Sequence, residues 1–187
     1  MTTLEWLAVL LGVINIALLV RRSVWNYPFG MAMVALYVVI FARARLYGEA
    51  GLQVFFFVAQ AYGWVLWLRV DGADSRVPVR WLDWRSRAVW LTVTAALALN
   101  LGWAMHRFTN AVMPYADSAI TGASIAAQLL LGFRRVENWV LWIVIDVGSI
   151  ALYIQRGLLP TAGLYTLFLG MSVLGLREWI VAARAPE

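Results

Sequence analysis

Ala50-Gly51-Leu52-Gln53-Val54-Phe55-Phe56 returns later in the chain as Ala162-Gly163-Leu164-Tyr165-Thr166-Leu167-Phe168. The offset is 162 − 50 = 112, and it holds beyond these seven residues without a gap. Leu46 meets Leu158, Gly63 meets Gly175 and Trp67 meets Trp179. Upstream, Arg22 meets Arg134, Asn26 meets Asn138, and Tyr27 stands opposite Trp139. Chance identities are common in an apolar chain, so the shared register carries more weight than any one pair.

The chain around this repeat is made for lipid. It has 187 residues, 63% hydrophobic and 13% charged, with a mean hydropathy of +0.77. Soluble domains are about 45–50% apolar and about 25% charged. A bilayer core about 30 Å thick needs roughly 20 apolar residues in a helix. Seven such stretches stand out: 4–20, 24–42, 51–68, 88–105, 117–133, 138–155 and 159–176. The first lacks a basic leader and an A-x-A site, so it reads as a span rather than a cleaved signal. The offset of 112 pairs span 1 with 5, 2 with 6 and 3 with 7, and leaves span 4 between them. Four crossings restore the direction, so the two repeats run parallel, an arrangement used by transporters. The expected fold is all-α and polytopic: seven transmembrane helices as two parallel three-helix bundles plus a linker helix (3+1+3). The expected divisions are 1–70 for the first bundle, 71–110 for a loop and helix 4, and 111–187 for the second bundle.

Absent residue types exclude several chemistries. There is no Cys and one His, His106, which removes disulfides, thiolate metal sites and most nucleophilic triads. All 15 basic residues are Arg, so no Lys can form a Schiff base with retinal or pyridoxal phosphate. Neither a metal nor a cofactor is expected, and no nucleic acid partner, despite a net charge of +5. Arg43, Arg45, Arg107 and Arg156 fall on one side of the membrane. Arg21, Arg22, Arg69, Arg76, Arg80, Arg85, Arg87, Arg134, Arg135, Arg177 and Arg184 fall on the other. This 11:4 division places the second side in the cytoplasm, the N-terminus outside and the C-terminus inside. The long loop 71–87, with Trp81 and Trp84 among arginines, is expected to lie along the inner lipid surface.

Polar residues inside hydrocarbon are costly and usually face a cavity or another helix. Here they form stripes. Gln53, Gln60, Trp64 and Trp67 share one face of span 3, and Trp139, Trp142, Asp146, Ser149 and Tyr153 share one face of span 6. Span 5 carries Asp117, Thr121, Ser124 and Gln128, and Asn15, Asn26 and Asn100 are more isolated. Ser and Thr in such helices commonly bond backbone or neighbouring helices, and Trp at span ends commonly anchors at the interface. Asp146 differs: it lies mid-span, with no Arg at that depth. Trp faces attract a flat cation, and Gln, Asn and Tyr bond hydroxyls and carboxamides. The matching solute is a flat aromatic ring, cationic or hydroxylated, rather than a phosphate.

The residues also resemble a known family. Trp25-Asn26-Tyr27-Pro28-Phe29-Gly30, Leu46-Tyr47, Leu52-Gln53 and Tyr62-Gly63-Trp64-x2-Trp67 are similar to the first half of the PnuC nicotinamide riboside transporters. Asp117-Ser118, Ser124, Gln128, Glu137-Asn138-Trp139-x2-Trp142-x3-Asp146, Tyr153, Tyr165, Gly175 and Trp179 continue the likeness, which spans about residues 5–180. The resemblance implies a SWEET-like membrane transporter of the bacterial inner membrane. It implies facilitated diffusion of an unphosphorylated vitamin precursor for NAD biosynthesis, with a cytoplasmic kinase as the functional partner that traps it. Related branches carry thiamine or other vitamins, and Tyr27 stands where many members have Trp. By the same resemblance, Trp139, Trp142 and Asp146 lie near the substrate ring, and Gln53, Gln60 and Gln128 bond the carboxamide or ribose. Asn26 and Asn138 line or gate the pathway, while Trp64 and Tyr153 line or gate beside them. A homo-oligomer is compatible with this reading. The alternatives are a carrier of thiamine or another nucleoside-like solute, proton-coupled through Asp146, an intramembrane enzyme, and a scaffold or receptor. The enzyme reading lacks a second deep carboxylate or a nucleophile–base pair.

Overall fold

In the computed structural model, residues 3–43, 47–69, 77–109, 112–155, 157 and 159–184 are described. Along them run seven helices: α1 (Thr3–Val20), α2 (Asn26–Arg43), α3 (Tyr47–Leu68), α4 (Trp84–Phe108), α5 (Pro114–Gly132), α6 (Glu137–Gln155) and α7 (Leu159–Arg184). The fold is all-α, as the lengths of the apolar stretches predict. Caps rather than hydropathy set several ends. Asp83 accepts from the Ser86 N–H at 3.1 Å and starts α4 ahead of its apolar stretch. Pro114 opens α5 at a position where its missing N–H costs nothing.

Neighbouring helices pack in the order α1, α2, α3, α5, α6, α7 and back to α1, which closes a ring. The linker helix α4 stands outside it, packed on α5. Under the 112 offset, the α3–α5 and α7–α1 seams are the same contact. The two halves therefore meet twice, about a two-fold axis through the ring.

The position of α4 explains a difference between the repeats. Helices α2, α3, α4, α6 and α7 are long and apolar enough to cross a membrane. The apolar part of α1, Trp6–Val20, is shorter. The polar helix α5 touches three helices, α3, α4 and α6, and buries Ser118, Ser124, Gln128 and a run of small residues. Its contact with α4 is close: a methyl at Gly122 would lie 3.3 Å from the Ala98 backbone. Because α4 shields α5 from lipid, α5 can hold polar and small residues where α1 holds Leu and Ile.

The α1–α2 and α5–α6 turns are copies of each other. Arg22 and Arg134 both adopt φ of 59°. The Arg22 and Arg134 N–H groups donate to Leu19 and Leu131 oxygens at 2.8 and 2.9 Å. The N–H groups of Ser23 and Arg135 donate to Leu18 and Leu130 at 3.0 and 2.9 Å. A left-handed residue closing a helix in this way satisfies its last carbonyls. Residues 77–83 cross both turns as a strap. Val77 N–H reaches the Arg22 oxygen at 3.4 Å, and Arg80 N–H reaches the Arg134 oxygen at 3.1 Å. Leu82 N–H donates to the Glu137 carboxylate at 3.0 Å, and Arg87 pairs with the same carboxylate at 2.8 Å.

The strap corrects part of the expectation for loop 71–87. Val77 and Val79 are buried against protein, because the helix ends offer them apolar partners, while Trp84 is 76% exposed. Residues 71–76, the Leu46–Leu158 pair, and Arg45, Arg76 and Arg156 of the orientation count lie outside the described residues.

Candidate functional site

The arginine-rich end of the ring is shut by aromatic rings. Tyr27 meets Trp67 edge to face at 5.2 Å and 88°, and Trp139 meets Trp179 at 5.7 Å and 85°. These two pairs are related by the repeat, and Trp67 and Trp179 touch across the axis at 6.1 Å. Each half supplies a glycine against its own ring: a methyl at Gly63 would lie 2.7 Å from the Tyr27 hydroxyl, and one at Gly175 would lie 2.5 Å from the Trp139 ring. The Trp179 indole N–H donates to the Leu19 oxygen at 3.2 Å, tying α7 to α1. Leu19, Val24, Val77, Val79, Leu131 and Val136 complete the plug. Beneath it, Asn26 and Asn138 donate to the Ser23 and Arg135 oxygens at 2.7 and 2.6 Å. They hold the two turns on which Tyr27 and Trp139 sit.

Depth along each helix follows from the rise of about 1.5 Å per residue. Counted from Leu68 and Glu137, the half-buried Trp64 and Trp142 lie about 6–8 Å in, both packed on the plug. Gln60 and Asp146 lie about 12–14 Å in, near the middle of a 30 Å core. Gln53 and Tyr153 lie about 22–24 Å in. Gln128 lies about 6 Å from the end of α5, close to the Trp64 and Trp142 level.

In the middle layer, Asp146 is buried and accepts from the Ser172 hydroxyl of α7 at 2.9 Å. No basic side chain among the described residues faces it. Gln60 is buried against Gly30, and Asn15 of α1 packs against the same glycine with its amide oxygen unpartnered among the described residues. Toward the opposite end, Tyr153 and Tyr165 pack at 5.2 Å, with Asp146 and Tyr37 within electrostatic range of Tyr165.

The ten residues expected from sequence therefore fall in three groups. Asn26, Asn138 and Trp139 belong to the closure. Trp64, Trp142, Gln128, Gln60 and Asp146 lie in the layers above it. Gln53 and Tyr153 lie nearer the opposite end, and among the described residues no side-chain hydrogen bond joins Gln53 or Gln128 to the others. Two cavities are prominent on the molecule, of about 420 and 320 Å³, and none of the ten lines either of them. Among the described residues, no cluster of three His, Cys, Asp or Glu side chains is arranged for a metal.

A family model described as nicotinamide mononucleotide transporter matches residues 2–181. The chain belongs to this transporter family. Similar members include the nicotinamide riboside transporter PnuC of Escherichia coli (strain K12), 29% identical over 97% of this chain and 86% of that protein. The riboflavin/roseoflavin transporter RibM of Streptomyces davaonensis is 26% identical over 94% of this chain and 83% of its own length. A crystal structure of the vitamin B3 transporter PnuC superposes with a TM-score of 0.80 at 25% identity, over 97% of this chain and 82% of that one. The protein is thus a multi-pass membrane transporter with the PnuC fold, and not an enzyme.

Beyond the ten expected residues, the structure places in these layers four that the sequence motifs contain, Tyr27, Trp67, Tyr165 and Trp179, and one that they do not, Ser172. Trp67, Trp179 and Tyr27 complete the closure, and the signal was the register itself, since Trp67 repeats as Trp179 and Tyr27 as Trp139. Ser172 and Tyr165 are the repeat positions of Gln60 and Gln53. The same offset shows where the halves diverge: Gly30 faces the place of Trp142, and Val34 that of Asp146. Aromatic pairs and glycines recur at the closure, while the middle layers hold different chemistry in each half.

Proposed function

We propose that this transporter carries nicotinamide riboside by facilitated diffusion, supplying NAD biosynthesis. The observation that carries this reading is the carboxylate of Asp146, the one buried carboxylate among the described residues, partnered by the neutral Ser172 and set above Trp64 and Trp142. A lone carboxylate removed from water costs several kcal/mol unless a positive charge balances it. A pyridinium ring supplies that charge and stacks on indole faces; its carboxamide and ribose match Gln60 at the level of Asp146 and Gln128 toward the Trp64 and Trp142 layer, while Gln53 and Tyr153 offer hydrogen bonds further along the route. Riboflavin, the cargo of the RibM relative, is neutral and leaves Asp146 unbalanced. Thiamine is a cation and is the nearer competitor.

In this mechanism the divisions 1–70 and 111–187 are two bundles that rock about the α3–α5 and α1–α7 seams. The helix α4 and its loop, residues 71–110, join them. The arginine-rich end faces the cytoplasm of a bacterial inner membrane, where a kinase phosphorylates the arriving substrate. The closure of Tyr27, Trp67, Trp139 and Trp179 is the inner gate in its shut state, with Asn26 and Asn138 as its footings. The deciding experiment is uptake into proteoliposomes of labelled nicotinamide riboside, competed by thiamine and by riboflavin, with and without a pH gradient. Saturable uptake that thiamine and riboflavin compete poorly, and that stops at equilibrium in either condition, is the expected result. Accumulation above equilibrium under a pH gradient would show proton coupling instead, and preferential competition by thiamine would reassign the substrate.

A further inference from the structure

The cavity of about 420 Å³ lies away from the ring axis, at the arginine-rich end between α3, α4, α5 and the strap. Its walls are Leu66, Leu82, Trp90 and Phe133, with Arg134 and Arg135 at the polar side. The Trp90 and Phe133 rings stand 6.5 Å apart. Arg134 is half-buried, and among the described residues no acidic side chain pairs with it. The acids nearby are already engaged. Glu137 takes the Leu82 N–H and Arg87, while Asp83 caps α4 and lies in electrostatic range of Arg135. The Arg135 guanidinium also reaches the Trp81 oxygen at 3.5 Å. Burial and the neighbouring guanidiniums of Arg135 and Arg80 push the Arg134 pKa below its ordinary value.

A guanidinium half out of water and crowded by like charges gains more from an anion than a solvated surface Arg does. Its planar fork fits a phosphate in two hydrogen bonds. The aromatic and Leu walls add an apolar surface beside that charge, at the depth where lipid headgroups meet their chains. We propose that Arg134 and Arg135 form a binding site for the phosphate of an amphiphilic phosphate ester, whose apolar part lies between Trp90, Phe133, Leu66 and Leu82. Two sources share this chemistry: the headgroup of an anionic phospholipid, or a soluble nucleoside monophosphate on the same side of the membrane. An occupant would bridge α4, the strap and the α5–α6 turn, the elements laid over the closure.

The test is thermal unfolding of the purified protein in neutral detergent, titrated with three probes. These are short-chain phosphatidylglycerol, short-chain phosphatidylcholine and adenosine monophosphate. The variants are Arg134→Gln, Arg134→Gly, which suits the left-handed φ of 59° at that position, and, as a control on the same side of the membrane, Arg184→Gln, which is not among the cavity's lining residues. A saturable rise in Tm with phosphatidylglycerol beyond that with phosphatidylcholine assigns the site to lipid. The same rise with adenosine monophosphate assigns it to a soluble ester. In either case the apparent affinity should fall about tenfold to a hundredfold in both Arg134 variants and stay unchanged in Arg184→Gln. No rise in the wild-type protein with either phosphate probe overturns the proposal, and so does an unaltered response in Arg134→Gly.

Discussion

Gly175 is small because the Trp139 ring occupies the space a methyl would need, 2.5 Å away. Gly170, on the same helix, has nothing within 4 Å of its missing methyl. Alanine at 175 should destabilise the protein by about 1–3 kcal/mol through overpacking, while alanine at 170 should be neutral or slightly stabilising. Thermal unfolding of the two variants checks this, and equal shifts would mean that the Trp139 ring moves aside freely. Asp146 allows a second comparison. Asp146→Asn keeps the shape and the contact to Ser172 but removes the charge, so the variant should reach the membrane and lose nearly all uptake of a cationic substrate. Ser172→Ala keeps the charge and removes one neutral hydrogen bond worth about 0.5–1.5 kcal/mol, so its uptake should fall by about tenfold or less. Both are read as initial rates in proteoliposomes normalised to inserted protein. A scaffold without a pathway would show no difference between them.

Among the elements, helix existence and pairing were legible in the sequence because both rest on periodic features: apolar length and the 112 register. The strap was not legible, since Val77 and Val79 are two short apolar residues in a polar loop, and only the neighbouring helix ends show where they go. The contact between Asp146 and Ser172 was hidden for a similar reason. Serine in a membrane helix often bonds its own backbone, as Ser124 does with Ile120 at 2.8 Å, and nothing local marks the exception 26 residues from its partner. Nor could hydropathy tell that α4 covers α5, which is what permits so polar a helix. The strap also makes a prediction of its own. Glu137→Ala removes the acceptor for Leu82 N–H and the partner of Arg87. Arg87 is open to solvent and Glu137 mostly buried, 46% and 14% exposed, so losing the pair and the Leu82 bond together should cost about 1–2 kcal/mol of global stability. The Leu82 amide should exchange its hydrogen about tenfold faster, as expected when a local anchor is lost without global unfolding.

At the level of the whole molecule, symmetry and asymmetry divide by depth, and that division bears on how the transporter works. The closure is built twice on one plan, an aromatic pair against a glycine in each half, with Tyr27 where the other half has Trp139. The layers above it are unlike, as a binding site for an asymmetric solute requires. The closure should therefore be removable without loss of the fold. Trp67→Leu together with Trp179→Leu deletes the two rings that meet across the axis but keeps part of their apolar volume, at a cost of about 1–3 kcal/mol for each. The remaining ring of helices should persist, held by the α3–α5 and α1–α7 seams. The chain contains no cysteine, so one placed in the middle layer reports access cleanly. With Ser149→Cys, a buried position beside Asp146, a membrane-impermeant thiol reagent applied from the arginine-rich side should not react while the closure is intact. In the double Trp variant the same cysteine should label readily, and solute should leak down its gradient. If labelling from that side is equally fast in both backgrounds, the aromatic quartet is packing and the barrier lies elsewhere. If it is blocked in both, the strap and its buried valines form the seal.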